Sequence, residues 1–259
     1  MRIRDTRPAR RDLEHDLLHE VGRAIADFDL ISEGDRILVA LSGGKDSLSM
    51  LLLLETLRRK APVRFALTAV HLDQGQPGHD AGPLCGWLAA QGFPHHAVRE
   101  DIYALVRDKL PEGATPCSLC ARLRRAVLYR TATRLGCTKI ALGHHRDDAL
   151  ETLLLNLFFA GKIAAMPARL RSDDGAHVVI RPLIYCAESD LADFASERRV
   201  PILPCNLCGD RPHAQRQQMK SLLSTLEAAH PHLRQTMLAA LGNVQPSHLL
   251  VRPTRQDPP

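Results

Sequence analysis

Ser42-Gly43-Gly44-Lys45-Asp46-Ser47 sets two hydroxyls, two glycines, a cation and an acid side by side. The chemistry open to such a set is the handling of a phosphate chain. Paired glycines let the backbone turn tightly and press bare N–H groups against an anion, and Ser42 and Ser47 add hydroxyl donors. Lys45 supplies positive charge, and Asp46 supplies a carboxylate of the kind that holds Mg²⁺. The elements around the loop must then be a short apolar strand over residues 37–41 and a helix from residue 46 to about 60, its positive end aimed at the anion. A Walker A loop is excluded, because Val39 stands where that motif needs glycine and Asp46 where it needs Ser or Thr. The plain alternative is a glycine turn between strand and helix.

Two further pairs could bind a metal. Cys117-Ser118-Leu119-Cys120 opens one expected helix, and Cys205-Asn206-Leu207-Cys208 precedes another. A two-residue gap lets two thiolates reach one centre, and helix N-termini with nearby arginines favour the thiolate. The long separation of the pairs fits a compact zinc ribbon poorly. Structural zinc on four cysteines, a redox dithiol, and an iron–sulfur cluster held by three cysteines with one iron left open all remain open from the residues. Cys85, Cys137 and Cys186 are isolated and read as packing residues.

A second strand-to-helix junction, Gly143-His144-His145-Arg146-Asp147-Asp148, follows an expected strand at 139–142. Asp147 and Asp148 suit helix capping. In a doubly wound sheet, however, this junction shares the carboxyl edge with Ser42–Ser47, which makes Gly143, His144 and Asp147 candidates for nucleotide contact. Asp73, ending the strand at 63–72, either contacts nucleotide or metal or starts a turn. Between Cys117 and Lys139 lie Arg122, Arg124, Arg125, Arg130 and Arg134 and no acid. With Lys139 they suit a phosphate backbone, an ordinary exposed helix being the alternative. Tyr129 is the one aromatic there, so base recognition is not apparent.

Composition is compatible with these readings. The chain has 259 residues, 45% hydrophobic, with net charge +5 and pI near 8.9, which points to a polyanionic partner. No apolar run is long enough for a membrane helix, and no membrane partner is expected. Seven cysteines without a signal-peptide pattern indicate a reducing, cytoplasmic setting. Alternating strand and helix signals predict an α/β fold, a doubly wound and mainly parallel sheet with a small C-terminal region. Helices are expected over 12–29, 81–91, 102–110, 119–135, 146–159, 188–198 and 212–229, with strands at 94–98, 177–182 and 202–203. The expected organisation is an N-terminal helical segment (1–30), an ATP-binding core (31–160), a C-terminal region completing the cysteine site (161–244) and a loose proline-rich tail (245–259).

The six-residue loop resembles the PP-loop of the ATP-pyrophosphatase superfamily. Together with PCSLCARLRR, LYRTATRLGCTKIALGHHRDDALETLLLN, VIRPLIYC and ILPCNLCG followed by QRQ, it resembles the tRNA 2-thiocytidine synthetase family over about residues 12–248. The resemblance implies ATP- and Mg²⁺-dependent replacement of the 2-oxo group of cytidine 32 in the tRNA anticodon loop by sulfur. It also implies a [4Fe-4S] cluster on Cys117, Cys120 and one of the second pair, Cys208 with Cys205 as the alternative. The implied catalytic set is Lys45, Asp46 and those cysteines. The implied partners are tRNA and a cysteine desulfurase as sulfur donor, and a homodimer is among the assemblies it allows. No general base is identified. A lysidine synthetase, or a zinc-stabilised RNA-binding module without catalysis, are the alternatives.

Overall fold

A computed structural model describes residues 12–109, 117–172, 175–203 and 215–250. Among them six strands form one sheet in the order β3-β2-β1-β4-β6-β5: β1 (Arg36–Leu41), β2 (Ala66–Asp73), β3 (His95–Arg99), β4 (Lys139–Leu142), β5 (Arg169–Arg171) and β6 (Val178–Ile180). All neighbours run parallel except β5 against β6. The chain leaves β1 toward β2 and β3, then crosses back to β4 on the other side of β1. The α/β expectation therefore holds, and the strand order reverses between β1 and β4, where such sheets open a crevice at their carboxyl edge.

Burial explains why β1 is central. Ile37, Leu38, Val39 and Leu41 are all buried, and because successive side chains alternate, both faces of the strand are covered. On one face Leu38, Val70 and Ile140 meet Ala132 of α5 (Cys117–Arg134). α1 (Leu13–Asp27), α2 (Lys45–Arg58) and α7 (Glu188–Glu197) pack on one another. In α1, Asp12 caps the first turn by accepting from the His15 N–H, and Leu17, Val21 and Ala24 form the buried stripe. α2 buries Leu48, Met50, Leu51, Leu53 and Leu54, and each such side chain contributes roughly 1.5–3 kcal/mol. α3 (Gly82–Ala90) and α4 (Ile102–Lys109) connect the remaining parallel strands.

The residues group into two compact units, Met1–Arg146 with Pro167–Arg211 and Asp147–Met166 with Pro212–Pro259. The first holds the sheet. The second contains most of α6 (Arg146–Leu155), a π-helical turn (Asn156–Ala160), α8 (Gln215–Ala229) and α9 (Leu233–Gly242), closed around Leu150, Leu154, Met219 and Leu223.

Several elements depart from the sequence reading. β5 and α9 were not anticipated: β5 is an exposed edge strand of only three residues, too short for its alternation to stand out, and α9 carries no capping signal on its side chains. Residues 202–203 are not a strand. The helix expected over 146–159 changes to a π-helical turn at Asn156. The 111–116 loop, Cys205, Cys208 and the end of the tail lie outside the described residues.

Candidate active site

The loop after β1 is held open by its own side chains. Gly43 sits at φ 83°, a region that glycine adopts without penalty, and Gly44 is extended and caps α2 without a side-chain oxygen. The Gly44 N–H donates to Ser42 Oγ (3.2 Å), and the Ser47 hydroxyl donates to the Gly44 carbonyl (3.0 Å). With the Ser47 proton so placed, Ser42 is the donor in the 3.2 Å contact between the two hydroxyls, which closes a ring. The Ser42 N–H also donates to Ser47 Oγ (3.2 Å). Both serines that the sequence singled out thus shape the loop around the N-terminus of α2.

Charge is concentrated at the same point. Lys45 Nζ lies 2.9 Å and 3.0 Å from the two Asp46 oxygens and 3.5 Å from Glu188 Oε1 at the start of α7. Burial pulls the Lys45 ammonium down, but the hydrogen bond and charge of Asp46, with help from Glu188, outweigh it and hold it above its ordinary value. His145 Nε2 is 4.0 Å from Asp46 Oδ2 and is buried. Neither Glu188 nor His145 was singled out from sequence. His145 had a signal, being the neighbour of His144 in the second junction, whereas Glu188 is brought in only by the packing of α7 on α2.

The second junction does reach the first. A Cβ on Gly143 would stand 3.0 Å from the Ser47 Cα and nitrogen, so only glycine lets the end of β4 approach α2 this closely. His144 follows, half-buried. Asp147 accepts from Arg234 Nη1 (2.6 Å) within the second unit, an ion pair buried on both sides. Asp73 starts a turn, its Oδ1 accepting from the Gly75 N–H at 2.9 Å, and Oδ2 is 3.9 Å from Arg99; a nucleotide contact is compatible with both.

The first cysteine motif, and the described chain that ends at Leu203, each contact this edge. Cys117 is the first residue of α5, and Cys120, one turn on, donates its Sγ–H to Gln74 Oε1 (3.4 Å). Gln74 is buried directly after Asp73, and its carbonyl accepts from the Tyr103 N–H (2.9 Å). On the other side, the Leu203 N–H donates to the Gly43 carbonyl at 2.9 Å, two residues before Cys205. Of the basic residues, Arg122, Arg125, Arg130 and Arg134 are exposed along α5, although Arg130 pairs with Glu100 at 2.8 Å. Lys139 is a correction to that stripe: it is buried on β4 and bonded to Asp35 at 2.7 Å.

The PP-loop domain family matches residues 13–203. A protein of Sorangium cellulosum named tRNA-cytidine(32) 2-sulfurtransferase is 58% identical over 237 residues, 92% of this chain and 84% of its own length. The chain belongs to the tRNA-cytidine(32) 2-sulfurtransferase family. Members from Sodalis glossinidius and Erwinia tasmaniensis are each 56% identical over the same share of this chain, covering 67% and 77% of their own lengths. The fold agrees with that of the U34-tRNA thiolase NcsA from Methanococcus maripaludis, solved with its [4Fe-4S] cluster (TM-score 0.69, 22% identity, 92% of this chain and 80% of that one). Among the described residues, no helix is long and apolar enough to cross a membrane.

Proposed function

We propose that the chain is an ATP-dependent tRNA thiolase that replaces the 2-oxo oxygen of cytidine 32 by sulfur. The observation that carries the reading is the Leu203-to-Gly43 hydrogen bond, which brings the approach to the second cysteine pair onto the phosphate loop. The Cys120–Gln74 contact, at the end of the strand beside β1, supports it from the first pair.

In the activation step the cytidine O2 attacks the α-phosphorus of ATP, a new P–O bond forms, and pyrophosphate leaves. An amide-like oxygen is a poor leaving group, and adenylation allows it to depart as part of AMP. Ser42, Gly43, Gly44 and Ser47 hold the departing phosphates, the Gly44 N–H exchanging its Ser42 bond for a phosphate oxygen. Lys45 offsets the growing charge, and Asp46 would hold a Mg²⁺, which would supply further positive charge at the phosphates. Gly143, His144, Asp73 and Asp147 are the remaining candidates for nucleotide contact, with Asp73 and Asp147 held by the partners described above.

The donor chemistry fits an iron–sulfur centre: Cys120 is a soft sulfur ligand in the first turns of α5. Cys117, Cys120 and Cys208, or Cys205 in place of Cys208, would hold a [4Fe-4S] cluster, which when bound supplies the site from which sulfur is delivered to C2. A cysteine desulfurase is the proposed sulfur source, a homodimer the proposed assembly, and the cytoplasm the proposed location. A lysidine synthetase would leave the paired cysteines without use, and a zinc-stabilised binding module would leave the loop idle.

The test is incubation of anaerobically prepared protein with ATP, Mg²⁺, a sulfur source and tRNA, followed by mass analysis of nucleosides and assay of pyrophosphate. The expected products are 2-thiocytidine and pyrophosphate. A lysine-dependent product, or full thiolation by protein holding only zinc, overturns the reading.

A further inference from the structure

The single aromatic of the basic helix, Tyr129, stacks on His177 with ring centroids 4.7 Å apart. Among the described residues, the exposed large aromatics are Phe28, Phe158 and Phe159. Phe28 rests against Tyr185, at 5.6 Å between centroids. Phe158 and Phe159 are each 53% exposed, and Leu157 and Ile163 flank them at 45% and 67%. All four belong to the second unit.

The segment that presents them is tightly built. The π-helical turn Asn156–Ala160 ends at Gly161 in the left-handed region (φ 60°). The Lys162 N–H donates to the Asn156 carbonyl (3.0 Å), and Asn156 Nδ2 donates to the Ala164 carbonyl (2.7 Å). The rings thus stand on a hydrogen-bonded scaffold, and π-helical turns recur at functional sites. Charge selects the occupant. Within the second unit, residues 156–166 carry the exposed cation Lys162 and no acid. Exposed rings on a segment whose one charge is positive match unpaired nucleotides, whose bases stack and whose phosphates need cations. A second copy of a chain of net charge +5 would bring like charge to Lys162.

We infer that Phe158 and Phe159 are a stacking platform for unpaired nucleotides of the tRNA anticodon loop, with Lys162 on the phosphate backbone. The inference rests on the thiolase reading and extends it to how the RNA is held. The experiment measures binding of an anticodon stem-loop RNA carrying cytidine 32 by fluorescence anisotropy, alongside ATP binding and sedimentation velocity. Phe158→Ala and Phe159→Ala are expected to weaken RNA binding by roughly five- to a hundred-fold, with ATP binding and sedimentation unchanged. Phe158→Trp and Phe159→Trp should retain affinity, and Lys162→Ala should reduce the salt dependence of binding. Unchanged affinity in both alanine variants overturns the inference, as does conversion of a wild-type dimer to monomers by those variants. If wild-type protein neither binds nor thiolates the RNA, the thiolase reading itself has failed.

Discussion

Leu203 and Gly43, far apart in sequence, are joined by a 2.9 Å backbone hydrogen bond and by contact so close that a Cβ on Gly43 would lie 2.9 Å from the Leu203 Cβ. The phosphate loop and the irregular segment around Leu203 are therefore one structural joint. Gly43 meets two demands there, a left-handed backbone and space for Leu203.

Gly43→Ala should consequently fail on both counts. Left-handed alanine costs on the order of 1–2 kcal/mol before any clash is counted. A lowered melting temperature and loss of ATP-dependent pyrophosphate release are expected, whereas Gly86→Ala, in an unobstructed helical position, should leave pyrophosphate release unchanged and not lower the melting temperature. Wild-type pyrophosphate release by Gly43→Ala would contradict the proposed function of the loop.

Cys120→Ala should abolish thiolation of tRNA while leaving ATP affinity near that of wild type, because Cys120 contacts Gln74 at the end of β2. Cys117→Ala is expected to behave alike. Nucleoside mass analysis beside ATP titration checks the pair, and 2-thiocytidine formed by both variants would remove these cysteines from the site.

His71, buried at the carboxyl end of β2, donates from Nδ1 to the Leu41 carbonyl (3.0 Å), so its Nε2 accepts from His79 Nε2–H at 2.9 Å. Burial lowers its affinity for a proton, the Leu41 bond and Asp73 opposing and His79 adding to the effect. Below the ordinary histidine value of 6.5 the unfolded chain therefore binds more protons than the folded one, and stability falls as pH falls through that value and below it. Thermal melts across this range should show a steeper acid loss for wild type than for His71→Asn. Equal slopes would mean that His71 does not carry the effect.

Lys139 and Asp35 form a buried pair 2.7 Å apart beneath β1 and β4, with the Thr138 hydroxyl (2.8 Å) and Ser32 N–H (2.7 Å) also on the Asp35 carboxylate. Burial pushes Asp35 up, but these bonds and the Lys139 charge prevail and hold it below its ordinary value. Its contribution is present above the unfolded carboxylate value and disappears as pH falls through the depressed one. Lys139→Met strands the carboxylate and should cost about 3–5 kcal/mol in denaturant unfolding. Lys139→Met combined with Asp35→Asn should recover part of that loss, and an additive double variant would contradict the pairing.

The parts of the site that were legible in the sequence are those made by contiguous residues. Ser42–Ser47 carries its own turn glycines, hydroxyls and helix start, and the apolar run 37–41 could only be a covered strand, so a phosphate loop at a strand-to-helix junction was determined locally. The CxxC spacings and the Gly143–Asp148 junction were visible for the same reason. What depended on distant partners was not visible. Glu188 reaches Lys45 because α7 packs on α2; Gln74 meets Cys120 because α5 lies over the end of β2; Asp147 is taken by Arg234 from another helix; and Lys139 proved a buried partner of Asp35 and no part of a basic surface. Edge strand β5, Arg169–Arg171, is three exposed residues long, too short for a period of two to be read. Periodicity and turn chemistry are properties of neighbours along the chain, which sequence records directly. The joining of Leu203 to Gly43 is a property of the sheet's crossover, which brings two distant loops to one edge, and only the tertiary structure could decide it.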